Sequence, residues 1–194
     1  MVIRYANEKD NFKTLAKLMY ETDRYIYPYW FETKEEGIEE ISKLLTKEHT
    51  SFFYKKCIVA EVDGEIVGML LYFDDTSPLD FAYADIIGKN FNYSYTLKNY
   101  VIPLEKSIKE NQSYVAGVRV SDTHSRRGIA QSLFKFYFDS LKKDTIVKID
   151  VLVENEPAFN LYKKLGFEIV TKYQGFNGYR KKRVECYSMQ KIIK

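Results

Sequence analysis

Residues 114–141 leave few folds open. A β-rich run over residues 114–121 ends at a polar turn, residues 122–125; Arg126, Arg127 and Gly128 then lead into a stretch where Ile129, Leu133, Tyr137 and Leu141 recur every fourth residue. Apolar residues at that spacing line one face of a helix, whereas the run before them has the composition of a strand. Strand, tight turn and helix in this order set a helix N-terminus at a strand end. The first helical turn carries unpaired backbone N–H groups and the positive end of the macrodipole, so the connection is an anion site. Gly128 lets the backbone approach a ligand closely, and the small Ala130 lets the helix pack near the strand.

The rest of the chain alternates between the same two periods. Residues 2–5 read as a strand, and Asn7 or Asp10 caps a helix whose inner face is Phe12, Leu15, Ala16, Leu18 and Met19. Pro28 is expected to break that helix and leave Tyr25, Tyr27, Tyr29, Trp30 and Phe31 crowded in a loop. Thr33 and Glu36 form a capping box for a second helix, with Ile38, Ile41 and Leu45 inward. Residues 58–62, the turn Asp63-Gly64 and residues 65–73 make a hairpin. Residues 81–111 are aromatic and interrupted by Pro103, which suggests one or two short helices. A buried strand over 145–153 precedes a helix started by Asn155, Glu156 and Pro157 and ended by Gly166; strands at 167–173 and 184–190 close the chain. The loop between them carries Arg180, Lys181, Lys182 and Arg183.

With 194 residues, 45% hydrophobic and 29% charged, the chain reads as a single soluble domain over residues 1–194. Thirty basic against 27 acidic residues is too balanced to argue for nucleic acid. Cys57 and Cys186 lie in no metal-ligand spacing with His49 and His124, so no metal is expected and both thiols read as buried. The N-terminus has no basic-then-apolar leader, and no window approaches the roughly 18 apolar residues a membrane span needs. A cytoplasmic protein without a membrane partner is the expectation, with a homodimer left open.

About 27 residues after Gly128 comes a second motif, spelled by Asn155, Ala158, Leu161, Tyr162, Leu165, Gly166 and Phe167. The two motifs, in this order on a strand–helix–strand–helix background, resemble the GNAT superfamily of acetyl-CoA-dependent N-acyltransferases. The resemblance implies an α+β fold: a mixed, mostly antiparallel sheet with a splayed parallel strand pair and flanking helices. It also implies acetyl-CoA as cosubstrate, its pyrophosphate held by the turn formed by Ser125, Arg126, Arg127, Gly128, Ile129 and Ala130. Ser125 stands where the family has Arg or Gln, while Gly128 and Ala130 match. The pantetheine arm is expected to lie along the backbone of Val118 and Val120 and to meet the Asn155 amide. An N–H near Val118 then faces the thioester oxygen, a donor worth about 2.7–4 kcal/mol in other enzymes.

By the same resemblance Tyr162 is the general acid that protonates the departing thiolate. Residues 113–121 contain no acidic side chain, so the base is unassigned: Asp85, Asp122 and Asp150 are candidates, each read as a solvated or structural carboxylate, and a water chain is an equal alternative. His124 is expected at the surface. Tyr25, Tyr27, Tyr29 and Trp30 either line an acceptor pocket or pack on the core. The reading is direct transfer of the acetyl group of acetyl-CoA to a primary amine of a small molecule; the alternatives are a protein N-terminal or lysine acetyltransferase and a non-catalytic acetyl-CoA-binding regulatory module.

Overall fold

The structure is a computed structural model that describes residues 1–48, 50, 52–74, 108–175 and 184–194. Of residues 81–111, where one or two short helices are expected, residues 81–107 lie outside the described residues, as do Asp85 and the basic run at residues 180–183, while residues 108–111 are coil and turn.

In chain order come β1 (Val2–Tyr5), α1 (Phe12–Tyr20), α2 (Ile26–Trp30), α3 (Lys34–Leu45), β2 (Cys57–Val62), β3 (Glu65–Asp74), β4 (Gln112–Val120), α4 (Ile129–Asp139), β5 (Ile146–Leu152), α5 (Glu156–Lys164), β6 (Glu168–Gly175) and β7 (Val184–Ile192). Among the described residues seven strands form one sheet in the order β1-β2-β3-β4-β5-β7-β6. Every neighbouring pair is antiparallel except β4 with β5. This is the mixed, mostly antiparallel sheet that the motif resemblance implies.

The sheet is covered on both faces. Cys57, Val59, Met69 and Leu71 meet Leu15, Met19, Ile41 and Leu44 of α1 and α3. Ile58, Ala60, Leu70, Val115, Val147 and Ile149 face the other way, onto Leu133, Phe134 and Tyr137 of α4 and Tyr162 of α5. A strand buried on both faces needs no polar alternation, which is why β2 begins with four buried residues in a row. The β2–β3 turn is the expected two-residue hairpin: Asp63 and Gly64 both have positive φ, 52° and 83°, as a turn matching the strand twist demands.

Around Pro28 the structure differs from the sequence expectation. α1 ends at Tyr20, and Pro28 sits inside the short helix α2. In a first turn the missing N–H has no intrahelical partner to lose, so proline is tolerated there. The capping box of α3 is half formed. Thr33 accepts from the Glu36 N–H at 3.1 Å, but the Glu36 carboxylate reaches back one residue further, accepting from the Glu32 N–H at 2.9 Å.

β4 and β5 set up the site. They pair only over four positions, Gln112 to Val115 with Ile146 to Ile149, although β4 continues to Val120 and β5 to Leu152. The strands therefore part, as the resemblance implies. On its other edge β4 bulges at the same level: Tyr72 pairs with Val115 and Leu71 with Gly117, leaving Ala116 without a partner. The extra residue inverts the alternation, so that Ser113, Val115, Val118 and Val120 share the α4 face while Gly117 turns toward Thr22 at the end of α1. Ala116 is exposed in the middle of a central strand.

Candidate active site

At the C-terminal end of β4 a 3-10 turn (Asp122–His124) is followed by two left-handed residues, Arg126 at φ 60° and Gly128 at φ 78°. Gly128 is the N-cap of α4 and supplies no side-chain acceptor, and the first turn contains no acidic residue. Its carbonyl accepts the first helical bond, from Ser132 N–H at 3.0 Å. The N–H groups of Ile129, Ala130 and Gln131 therefore form an uncapped, positive helix end, where an anion is favoured. A β-carbon on Gly128 would find open space, with Gln131 Oε1 at 3.9 Å, so the glycine serves the backbone angle rather than a tight contact.

A cleft of about 400 Å³ begins at this helix end. Val120, Arg126, Gly128, Ile129 and Ala130 line it, as do Gln131, Pro157, Leu161 and Lys164. The last three sit four and three residues apart on α5 and so share one face. The sequence reading passed over Lys164, which brings a second cation to the cleft; its spacing from Leu161 was the available signal. His124 also lines the cleft, half-buried, with Nδ1 3.1 Å from Ser121 Oγ and 3.0 Å from Thr123 Oγ1, rather than standing on the surface as expected.

The other anticipated ligand residues divide. Ser125 Oγ donates to the Asp122 carbonyl at 2.9 Å, and Arg127 donates to the Thr123 carbonyl at 3.1 Å, so both side chains brace the turn. Val118 packs against the α4 core. Asn155 caps α5, its Oδ1 accepting from the Ala158 N–H at 3.3 Å, which leaves the amide N–H₂ pointing elsewhere. Asp122 is paired with Arg119 at 2.8 Å and highly exposed, the structural carboxylate foreseen for it.

Tyr162 projects from α5 and is 6% exposed, its ring packed edge-on to Phe134 at 5.8 Å and tilted against Phe167 at 5.9 Å. Burial pushes its phenol well above the ordinary range, which keeps the proton on oxygen. Its hydroxyl has no hydrogen bond to another described residue. The Cys57 thiol is fully buried and pushed up to about 12 by desolvation, so it is no nucleophile.

On the opposite face, the segment after α1 crosses the gap between the strands. Thr22 lies over Gly117 of β4, whose added β-carbon would meet it at 3.0 Å, while Arg24 and Tyr25 both bond Glu154, just past the end of β5. Tyr27 and Trp30 are core residues, 7% and 4% exposed, so of the four aromatic pocket candidates these two pack inward. Tyr29 packs against the same core, and Tyr25 alone borders the gap.

The structure of an N-acetyltransferase from Staphylococcus aureus Mu50 matches with a TM-score of 0.72 at 22% identity, covering 98% of this chain and 100% of that one. The Salmonella typhimurium protein YncA, solved with its cofactor acetyl-CoA, matches with a TM-score of 0.62 at 13% identity over 100% and 94% of the two chains. In sequence, an N-alpha-acetyltransferase of Sulfurisphaera tokodaii is 29% identical over 147 residues, which is 74% of this chain and 66% of the relative's length. The model of the acetyltransferase (GNAT) family matches residues 16–167, a span that begins within α1 and contains the diverging strands, the uncapped helix end and Tyr162, and the chain belongs to that family of acyl-CoA-dependent N-acyltransferases.

Proposed function

We propose that this N-acetyltransferase holds the pyrophosphate of acetyl-CoA on the N–H groups of residues 126–130 and threads the pantetheine arm between β4 and β5. The observation that carries the reading is that the parallel pair stops at Val115 and Ile149 beside an uncapped helix N-terminus. Beyond that point the facing backbone edges lack a strand partner, so the arm can pair as a strand would. Arg126 and Lys164 add charge for an anionic cofactor. The thioester then lies near the Ala116 bulge, within reach of backbone donors that stabilise an oxyanion.

The acceptor is a primary amine entering from the α1 side, and it attacks the thioester directly. Tyr162 protonates the leaving thiolate from the α5 side; a thiolate leaves readily on its own, so the acid supplies modest help. Residues 22–25 crossing the gap narrow the acceptor side, which favours a small-molecule amine. The name of the Sulfurisphaera relative favours a second reading, the α-amine of a polypeptide.

Three measurements test this. Acetyl-CoA at about 100 times its Kd stabilises the fold by about 2.7 kcal/mol, read as a rise in Tm; no rise removes the cofactor assignment. Thiol release against a panel of polyamines, amino sugars, aromatic amines and peptides with free N-termini then separates the acceptor classes. On a productive amine Tyr162→Phe lowers kcat by about tenfold to a hundredfold without abolishing turnover, and an unchanged kcat removes Tyr162 from the acid role.

A further inference from the structure

Three side chains from three strands meet on the α1 face where β4 and β5 part. Tyr114 donates to Asp150 Oδ2 at 3.1 Å, and Tyr173 donates to the same oxygen at 2.8 Å. Asp150 Oδ1 is shielded from solvent and has no hydrogen-bond partner among the described residues. A carboxylate oxygen left in that state costs free energy unless a donor reaches it, so the arrangement is built for a group that brings one. Asp150 is the first residue of β5 past the last parallel pair, and its neighbours Ile149 and Val151 turn to the α4 face. Its carboxylate therefore stands on the acceptor side of the gap, across the sheet from Tyr162. The sequence reading took Asp150 for a solvated or structural carboxylate; the buried, unpartnered Oδ1 argues otherwise.

We propose that Asp150 receives the acceptor amine: Oδ1 takes an N–H of the protonated amine and then the proton itself, while Tyr114 and Tyr173 are positioning residues that hold Oδ2. This rests on the acyltransferase reading above. The protonated amine gives one proton to Asp150, and its freed lone pair forms the C–N bond as the C–S bond breaks. The thiolate takes the Tyr162 proton, and the phenolate regains the second proton that nitrogen loses. Asp150 releases its proton to solvent when the acetylated product leaves the gap.

The groups facing this cluster are Tyr114 from β4, Tyr173 from β6, the Cys186 thiol from β7, Tyr162 from α5, which acts electrostatically on Tyr114, and, two residues back on β5, Lys148, which is held by Gln112 at 2.8 Å. The test follows kcat/KM for the best panel amine from pH 7 to 9.5 at saturating acetyl-CoA, alongside the acetyl-CoA melting shift. Asp150→Asn keeps the shift, loses about a hundredfold at pH 7, and recovers as pH rises because solvent then supplies the neutral amine. Tyr173→Phe lowers kcat about tenfold and leaves KM for acetyl-CoA unchanged. A folded Asp150→Asn variant within about threefold of wild type, or a deficit that is constant with pH, overturns the proposal. Should that variant not fold, an unchanged kcat in Tyr173→Phe overturns it. No melting shift, or no turnover on any panel amine, in the wild-type protein removes the acyltransferase reading itself.

Discussion

Gly128 and Ser125 stand three residues apart in one motif, yet they do different work. Gly128 holds φ 78° at the N-cap of α4, so any side chain there strains the turn, and a carboxylate would also project beside the uncapped N–H groups. Ser125 bonds its own turn and lies outside the cleft. Titration calorimetry with acetyl-CoA is therefore expected to show Gly128→Glu weakening binding by at least about a hundredfold and Ser125→Ala by less than about threefold. The reverse order would displace the anion site. Gly128 was legible because a glycine between a strand and a helix has few other uses. The Tyr114, Asp150 and Tyr173 cluster was not, since it depends on the register in which β4, β5, β7 and β6 pair, which leaves no local pattern.

Between elements, α1 and α3 are joined through a glycine that the helical period does not advertise. A β-carbon on Gly37 would come within 2.4 Å of Tyr20 Cε2 and 2.9 Å of Phe31 Cδ2. Alanine is the better helix former by about 1 kcal/mol, but overpacking a filled core costs about 1–3 kcal/mol. The steric effect is expected to win, so Gly37→Ala lowers stability in urea unfolding; a rise would mean that the Tyr20 ring swings aside at little cost. The β2–β3 hairpin and α4 could be read from sequence because turn chemistry and apolar period are local signals. The ends of α1 and the nature of α2 could not, because Pro28 is compatible both with a break and with a first helical turn. Tyr27 and Trp30 likewise carry no local mark of facing the core rather than a ligand.

Across the whole molecule, ion pairs tie the β1 edge to the helical layer. Arg4 joins Asp10 and Glu61, each at 2.7 Å. Burial opposes ionisation of Asp10, but the Arg4 guanidinium and the Asn7 N–H outweigh it and hold the carboxyl below its ordinary value of 3.8. Glu21, partly buried, is likewise held below 4.5 by Lys34 and Arg119. A depressed carboxyl stabilises the fold above its unfolded value, and that stabilisation is lost as pH falls through the folded value. Unfolding free energy is expected to hold steady from pH 7 to about 5 and to decline below about 4, with a shallower decline in Asp10→Asn. An equal decline in that variant would assign the acid sensitivity to other groups.

Which elements form, the glycine-marked helix end and the two motifs that resemble the family were all written in local residue order, because caps, turns and periodicity act over a few residues. Where β4 and β5 separate, which face each side chain takes after Ala116, and the meeting of Asp150 with Tyr114 and Tyr173 arise from strand pairing between residues tens of positions apart. A one-residue bulge inverts a strand's faces without altering its composition, so that part of the site exists only once the sheet has closed.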